Sequence, residues 1–384
     1  MDINIETLLA NLSLYTDTKN FHGATHIPIF NTATFDLKKQ ENDDFMYDYS
    51  RTDNPTRNAI ETIFAKAENG YGCVCTNTGI ASVSLLFDTV LKTGDTVLVE
   101  TDCYGGTNRL LNILSEKNNI TTIFADFTCK KEVEESLQNN NVKLVLCESP
   151  TNPGLKIIDL ESVGNLCKKH NALFAVDNSM ATFASQKPID LGADFSVFST
   201  TKFISGHGSV TAGAIVSKTE IWHKKVHYLA NALGLAQSPM DVFLTSLGIT
   251  TLVVRMKAQE VSALKIANRL ASHKNVVQVN YPAMREFPQY ELAKRQMKII
   301  PSVLTIRLDT PENAEKILKN TRLFGKKVSF GTVDSRMEIP AKMSHATNSE
   351  TQLAEKGITL STVRISVGLE NTDDLIADIQ NALM

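Results

Sequence analysis

Long apolar runs are missing from this chain: no stretch approaches the roughly 18 consecutive apolar residues that a membrane-spanning helix needs. A charge excess is missing too, since 39 Lys and Arg stand against 42 Asp and Glu, a formal charge of −3. With no basic surplus there is no electrostatic reason to expect nucleic acid or an anionic membrane as a partner. The start, MDINIETLLANLSLYTDTKN, has early acids and only a short apolar stretch where a signal peptide carries a basic segment and an apolar core. No targeting signal is read, and a cytoplasmic location is expected. The six cysteines (Cys73, Cys75, Cys103, Cys129, Cys147 and Cys167) form no pair of CxxC knuckles, and no HExxH run occurs. Buried, reduced thiols and no metal site are expected. What remains is small-molecule chemistry on a soluble chain of 384 residues, long enough for two domains.

What is present is a rhythm of short apolar runs between about residues 70 and 216. They are CVCT near 73, TVLVE at 96–100, TTIFAD at 121–126, KLVLCES at 143–149, ALFAVD at 172–177, FSVFS at 195–199 and AGAIV at 212–216, with helical patterns between them. Their length, β-branched content and spacing predict βαβ units in a large, mostly parallel seven-stranded sheet. Residues 1–53 show no clear period and read as an N-terminal arm that packs on something else, a dimer partner being one candidate. DNPTRNAIETIFAKAENG predicts a helix with Asn54 as cap and Pro55 first, burying Ile60, Ile63, Phe64 and Ala67. The large α/β domain is assigned to 54–245. The alternating runs SVLTIRL and STVRISVGL after helical patterns place a smaller α+β domain at 246–384.

Ligands of open α/β sheets sit beyond the carboxyl ends of the strands. Those ends present Tyr104, Asn152, Asp177 and, after FSVFS, the STTK of Ser199 to Lys202. TNTGIASVSLLFDTVL adds a helix start with Gly79, a backbone anion site suited to phosphate. Phosphate site, carboxylate and lysine together are what pyridoxal 5'-phosphate requires: Asp177 for the pyridine nitrogen, Lys202 for the aldehyde, Ser199 and Thr201 as phosphate donors. The SxxK reading of Ser199 to Lys202 as a serine acyl-transfer motif fails, because its SDN and KTG companions are absent.

The motifs YSRTDNPTR, TNTG, DCYGGTNR, ESPTNP, VDNS, STTKFISGH and VRISVGLE, in this order, resemble the Cys/Met-metabolism family of pyridoxal-phosphate enzymes of fold type I from about residue 25 to the end. The resemblance implies that Lys202 joins the cofactor and moves protons, with Asp177 and Tyr104 as its catalytic companions, Tyr104 stacked on the ring. It implies a phosphate cradle of Gly79, Ile80, Ser199 and Thr201, with Tyr49 and Arg51 reaching the neighbouring subunit's phosphate. Asn152 and Glu148 match positions beside the cofactor ring, and Arg364, near Ser329, offers its fork to the substrate α-carboxylate. Such shared sites imply a homo-oligomer, a tetramer built as a dimer of dimers.

Within the family the motifs look most like the cystathionine γ-synthase branch, with Asp48 and Arg109 at synthase positions and the arginine facing a distal succinyl carboxylate. The implied reaction is γ-replacement, forming L-cystathionine from an O-acylhomoserine, O-succinylhomoserine first, and L-cysteine. Cystathionine or methionine γ-lyase and O-acetylhomoserine sulfhydrylase share the scaffold and stay open. Thr52, Gly208, Ser209 and Asp334 depart from the family pattern.

Overall fold

The fold is seen in a computed structural model that describes residues 3–16, 21–40, 47–346, 353 and 356–384. The seven apolar runs become β1 (Gly72–Thr76), β2 (Thr96–Glu100), β3 (Thr121–Ala125), β4 (Val142–Glu148), β5 (Leu173–Asp177), β6 (Phe195–Phe198) and β7 (Gly213–Ser217). They form one sheet in the order β1-β7-β6-β5-β4-β2-β3. Pairing is parallel from β3 through β6, and β7 runs antiparallel to both β6 and β1. β1, β6 and β7 are buried at every residue, which is why their sequences are continuous apolar runs. Cys73 and Cys75 alternate onto one face of β1 and join the same core cluster. All six cysteines are free, five of them buried.

The helix Pro55–Glu68 starts as its sequence demands. The Asn54 side chain accepts from the Thr56 N–H at 3.0 Å, Pro55 takes the first position, and Ile60, Ile63, Phe64 and Ala67 are buried. The arm ahead of it does not wait for a partner subunit to bury its apolar residues: Leu8, Leu9, Leu12, Phe21 and Ile27 pack into the core of their own chain.

The second sheet comprises β8 (Val276–Asn280), β9 (Val303–Leu308), β10 (Gly325–Lys326), β11 (Arg336–Glu338) and β12 (Thr362–Ser366), in the order β10-β11-β12-β9-β8. Val363, Ile365 and Val367 turn into its core with Leu304 and Ile306, so Arg364 is left on the opposite face. Helix Pro239–Ile249 runs across residue 245, and the long helix Leu252–Ala271 contributes to the cores of both sheets. Among the described residues no single helix is long and apolar enough to cross a membrane.

Candidate active site

Strand β1 ends at Thr76, and three residues later the helix Gly79–Val90 begins. Thr78 caps it, accepting from the Ala81 N–H at 3.1 Å, while the Gly79 and Ile80 N–H groups have no acceptor among the described residues. Two free amides at a helix start are an anion cradle. A glycine is required there: a Cβ on residue 79 would stand 2.6 Å from the Ser199 Cβ. Val83, Phe87 and Val90 hold the helix to the core, whereas Ile80 departs from that face and lies 39% exposed at the cradle. The Ser199 hydroxyl has no protein partner among the described residues. Thr201 differs from its expected use, because its hydroxyl donates to the Ala212 carbonyl at 3.2 Å and accepts from the Ala212 N–H at 2.9 Å.

Three residues beyond Ser199, the chain turns Lys202 across toward the smaller sheet. Its Nζ donates to Ser329 Oγ at 2.7 Å and lies 5.0 Å from the centre of the Phe330 ring. Burial and the nearby Arg364 charge push this amine down to about 8, against opposing attraction from Glu338 and Asp177. A lysine held by one hydroxyl and no carboxylate is free to change partners.

Asp177 ends β5, directly across from Glu148 at the end of β4. Burial raises the Asp177 carboxyl above its ordinary range, opposed by the Ser179 hydroxyl and N–H, the latter donating to Oδ1 at 3.0 Å. Ser179 links two strand ends, since its hydroxyl accepts from the Ser199 N–H at 2.6 Å. Glu148 is pushed well up by burial and by the charges of Asp177 and Asp102, and its Oε2 has no partner among the described residues. An unpartnered buried carboxyl oxygen paired across the sheet with Asp177 marks a place that expects a ligand. Tyr104, 41% exposed, precedes the helix Gly105–Asn118; a Cβ on Gly106 would strike its ring at 2.4 Å.

Arg364 closes the opposite wall. Nη1 donates to Asn152 Oδ1 at 2.8 Å, and Nη2 donates to the Ser329 carbonyl at 2.9 Å and meets Glu338 Oε1 at 3.0 Å. Arg364 and Glu338 are 3% and 1% exposed, a buried pair facing each other across β12 and β11. Ser329 stands at φ +78°, a left-handed conformation costly for a serine, and from it serves Lys202 through its hydroxyl and Arg364 through its carbonyl.

Not every expected residue joins this cluster. Arg51 lies over the Tyr49 ring at 5.4 Å and donates to the Asn231 carbonyl at 3.1 Å. Asp48, exposed, accepts from the Tyr49 N–H at 2.6 Å. Arg109 is exposed on the helix that follows Tyr104. Conversely, sequence reading passed over Ser179, Phe330, Glu338 and Arg336, although the alternation R-M-E in 336–338 is a signal that two charges share one strand face. It also passed over the spacing of His223 and His227. These share a helix face, with His227 Nε2 3.3 Å from Asp53, and line a cavity of about 530 Å³ that does not include Lys202.

Comparison with known proteins decides the family. The model of the Cys/Met metabolism PLP-dependent enzymes matches residues 6–384. The chain belongs to that family. It is 37% identical over 379 residues to a cystathionine beta-lyase of Neurospora crassa, covering 98% of this chain and 82% of that one. It is 35% identical to a cystathionine gamma-lyase of Bacillus subtilis, covering 98% of each. Among solved structures, cystathionine gamma synthase from Xanthomonas oryzae pv. oryzae, in complex with aminoacrylate and cysteine, superposes with a TM-score of 0.95 at 36% identity, over 100% of this chain and 98% of that one. The chain is therefore a pyridoxal-phosphate-dependent enzyme of the trans-sulfuration group, with a fold type I architecture. The free amides at Gly79 and Ile80 and the orphaned Glu148 oxygen fit that cofactor's phosphate and ring.

Proposed function

We propose that this enzyme performs γ-replacement, joining an O-acylhomoserine, O-succinylhomoserine first, to L-cysteine to give L-cystathionine and the free acid. Lys202 carries this reading. γ-Chemistry needs one base to serve Cα and then Cβ, and an amine titrating near 8, tethered by a single hydroxyl and without an ion pair among the described residues, can reach both.

Gly79, Ile80 and Ser199 would hold the phosphate, Asp177 the pyridine nitrogen, and Tyr104 the ring face, with Asn152 and Glu148 beside it. Bound pyridoxal phosphate supplies an electron sink for the electrons of the Cα–H bond. Around it, Arg364 would receive the α-carboxylate, and Lys202 would take the Cα proton and deliver one to Cβ. Thr201 would support the cradle by fixing the turn against Ala212. Tyr49 and Arg51, both exposed, would complete the phosphate site of a second subunit in a dimer of dimers. Asp48 and Arg109 would border the substrate's distal end.

A second reading is cleavage of cystathionine, favoured by the names of the Neurospora and Bacillus relatives. Purified holoenzyme should be given O-succinylhomoserine, O-acetylhomoserine and cystathionine, each with and without cysteine, and the products identified by mass. Cystathionine formed from an ester and cysteine supports replacement. Cleavage of cystathionine with no condensation supports the second reading and sinks the first.

The Lys202 amine also predicts how the apoenzyme takes up its cofactor. Uptake requires the unprotonated amine, so its rate should rise about tenfold between pH 7 and 9 and then level off, as for a group titrating near 8. Stopped-flow absorbance follows it. A rate still climbing beyond pH 10 would show an ordinary lysine.

A further inference from the structure

We infer that Arg336 is a specificity-determining residue that receives a carboxylate at the far end of the substrate's γ-substituent. The inference rests on the proposed reading only in taking the substrate to be a γ-substituted amino acid. Arg336 and Glu338 are alternate residues of β11 and so share a face, about 7 Å apart along the strand. Glu338 holds Arg364, which places Arg336 beside the same site, displaced from the proposed α-carboxylate position by a span that a γ-substituent covers. Its Nη1 donates to the Val328 carbonyl at 3.4 Å, one residue from the Ser329 that binds Lys202.

Gly208 opens the space. At φ +64°, its absent Cβ would stand only 3.2 Å from Arg336 Nη2. The guanidinium is thus seated against the loop that follows Lys202. Nη2 donates to Asp334 Oδ1 at 3.0 Å, but Asp334 also accepts from Lys327 Nζ at 2.9 Å, so two cations share one carboxylate. The Arg336 Nε–H is buried and has no acceptor among the described residues. A fork with an unspent donor and a surplus of positive charge beside it, 15% exposed at the site's edge, suits a carboxylate.

The distinguishing comparison is between substrates that carry a distal carboxylate and those that do not. Arg336→Gln should reduce kcat/KM for O-succinylhomoserine by roughly 30-fold or more, mainly through KM, and leave O-acetylhomoserine within about twofold. Arg336→Lys should restore part of the preference. An equal loss on both esters would make Arg336 a structural partner of Asp334 and overturn the inference, as would no loss on either. Binding tests Arg336 even if no ester turns over, a result that would sink the proposed reaction instead. Holoenzyme is titrated with L-2-aminoadipate and with L-norleucine, which lacks the distal carboxylate, following the cofactor absorbance. Wild type should prefer aminoadipate and Arg336→Gln should not; equal affinities in wild type overturn the inference.

Discussion

Lys202→Ala is expected to lower turnover by at least about 10⁴-fold while leaving the fold intact. The loss follows because no other described amine stands beside Ser329 and Phe330 to bind the cofactor aldehyde or move the proton. Retention of the fold follows from the lysine's environment. It makes one side-chain hydrogen bond, and burial opposes its charge, so the variant removes an unfavourable buried cation. The sign of the linkage makes this measurable. A folded value near 8, below the ordinary 10.5, means that the unfolded chain holds more protons between those values, so the stability of the wild-type apoenzyme gains from this group as pH rises from 8 to 10.5. The variant should lack that gain. Denaturation of both apoproteins across the window, followed by the fluorescence of the single tryptophan, Trp222, would show it. Borohydride treatment of the holoenzymes gives the chemical counterpart: the cofactor should be fixed to the Lys202 peptide in wild type and to none in the variant. Retained turnover would end the assignment.

The elements most legible in the sequence were those set by local rules. The seven apolar runs match the seven strands: those buried on both faces, β1, β6 and β7, must be apolar throughout, the edge strand β3 is legible from its β-branched run alone, and Asn54-Pro55 announced its helix through capping. Lys202, Asp177 and the Gly79 helix start were legible because strand ends of an α/β sheet converge on one edge. Less legible was whatever depends on contact between distant segments. The antiparallel course of β7 is invisible in AGAIV, whose composition suits either direction. The diversion of the Thr201 hydroxyl depends on Ala212, which the chain brings back only after a turn of eleven residues. Glu338 could not be read as Arg364's partner, since 26 residues of sequence separate them and only strand pairing joins them. The arm shows the same limit: Leu8, Leu9 and Leu12 read as apolar residues in need of cover, but nothing local says that their own chain supplies it.

Arg364, the proposed α-carboxylate site, also holds a buried ion pair, and the two roles can be separated. Arg364→Ala removes the donors to Asn152 and to the Ser329 carbonyl and leaves Glu338 as a buried, uncompensated carboxylate whose Oε2 already lacks a partner. Breaking a buried ion pair from one side costs about 3–5 kcal/mol, so the apoenzyme's denaturant midpoint should fall clearly at an unchanged slope. Activity should fall further than stability explains, because the proposed carboxylate site disappears and the hold on Ser329, Lys202's hydrogen-bond partner, loosens with it. Pairing the change with Glu338→Leu tests the division. With the stranded carboxylate replaced by an apolar side chain, much of the stability should return, as apolar replacements of buried ion pairs are often neutral or better. Activity should not return, since neither replacement offers a fork to an α-carboxylate. Recovery of turnover in the double variant would show that Arg364 serves only to neutralise Glu338, and substrate binding would then have to be assigned to another cation.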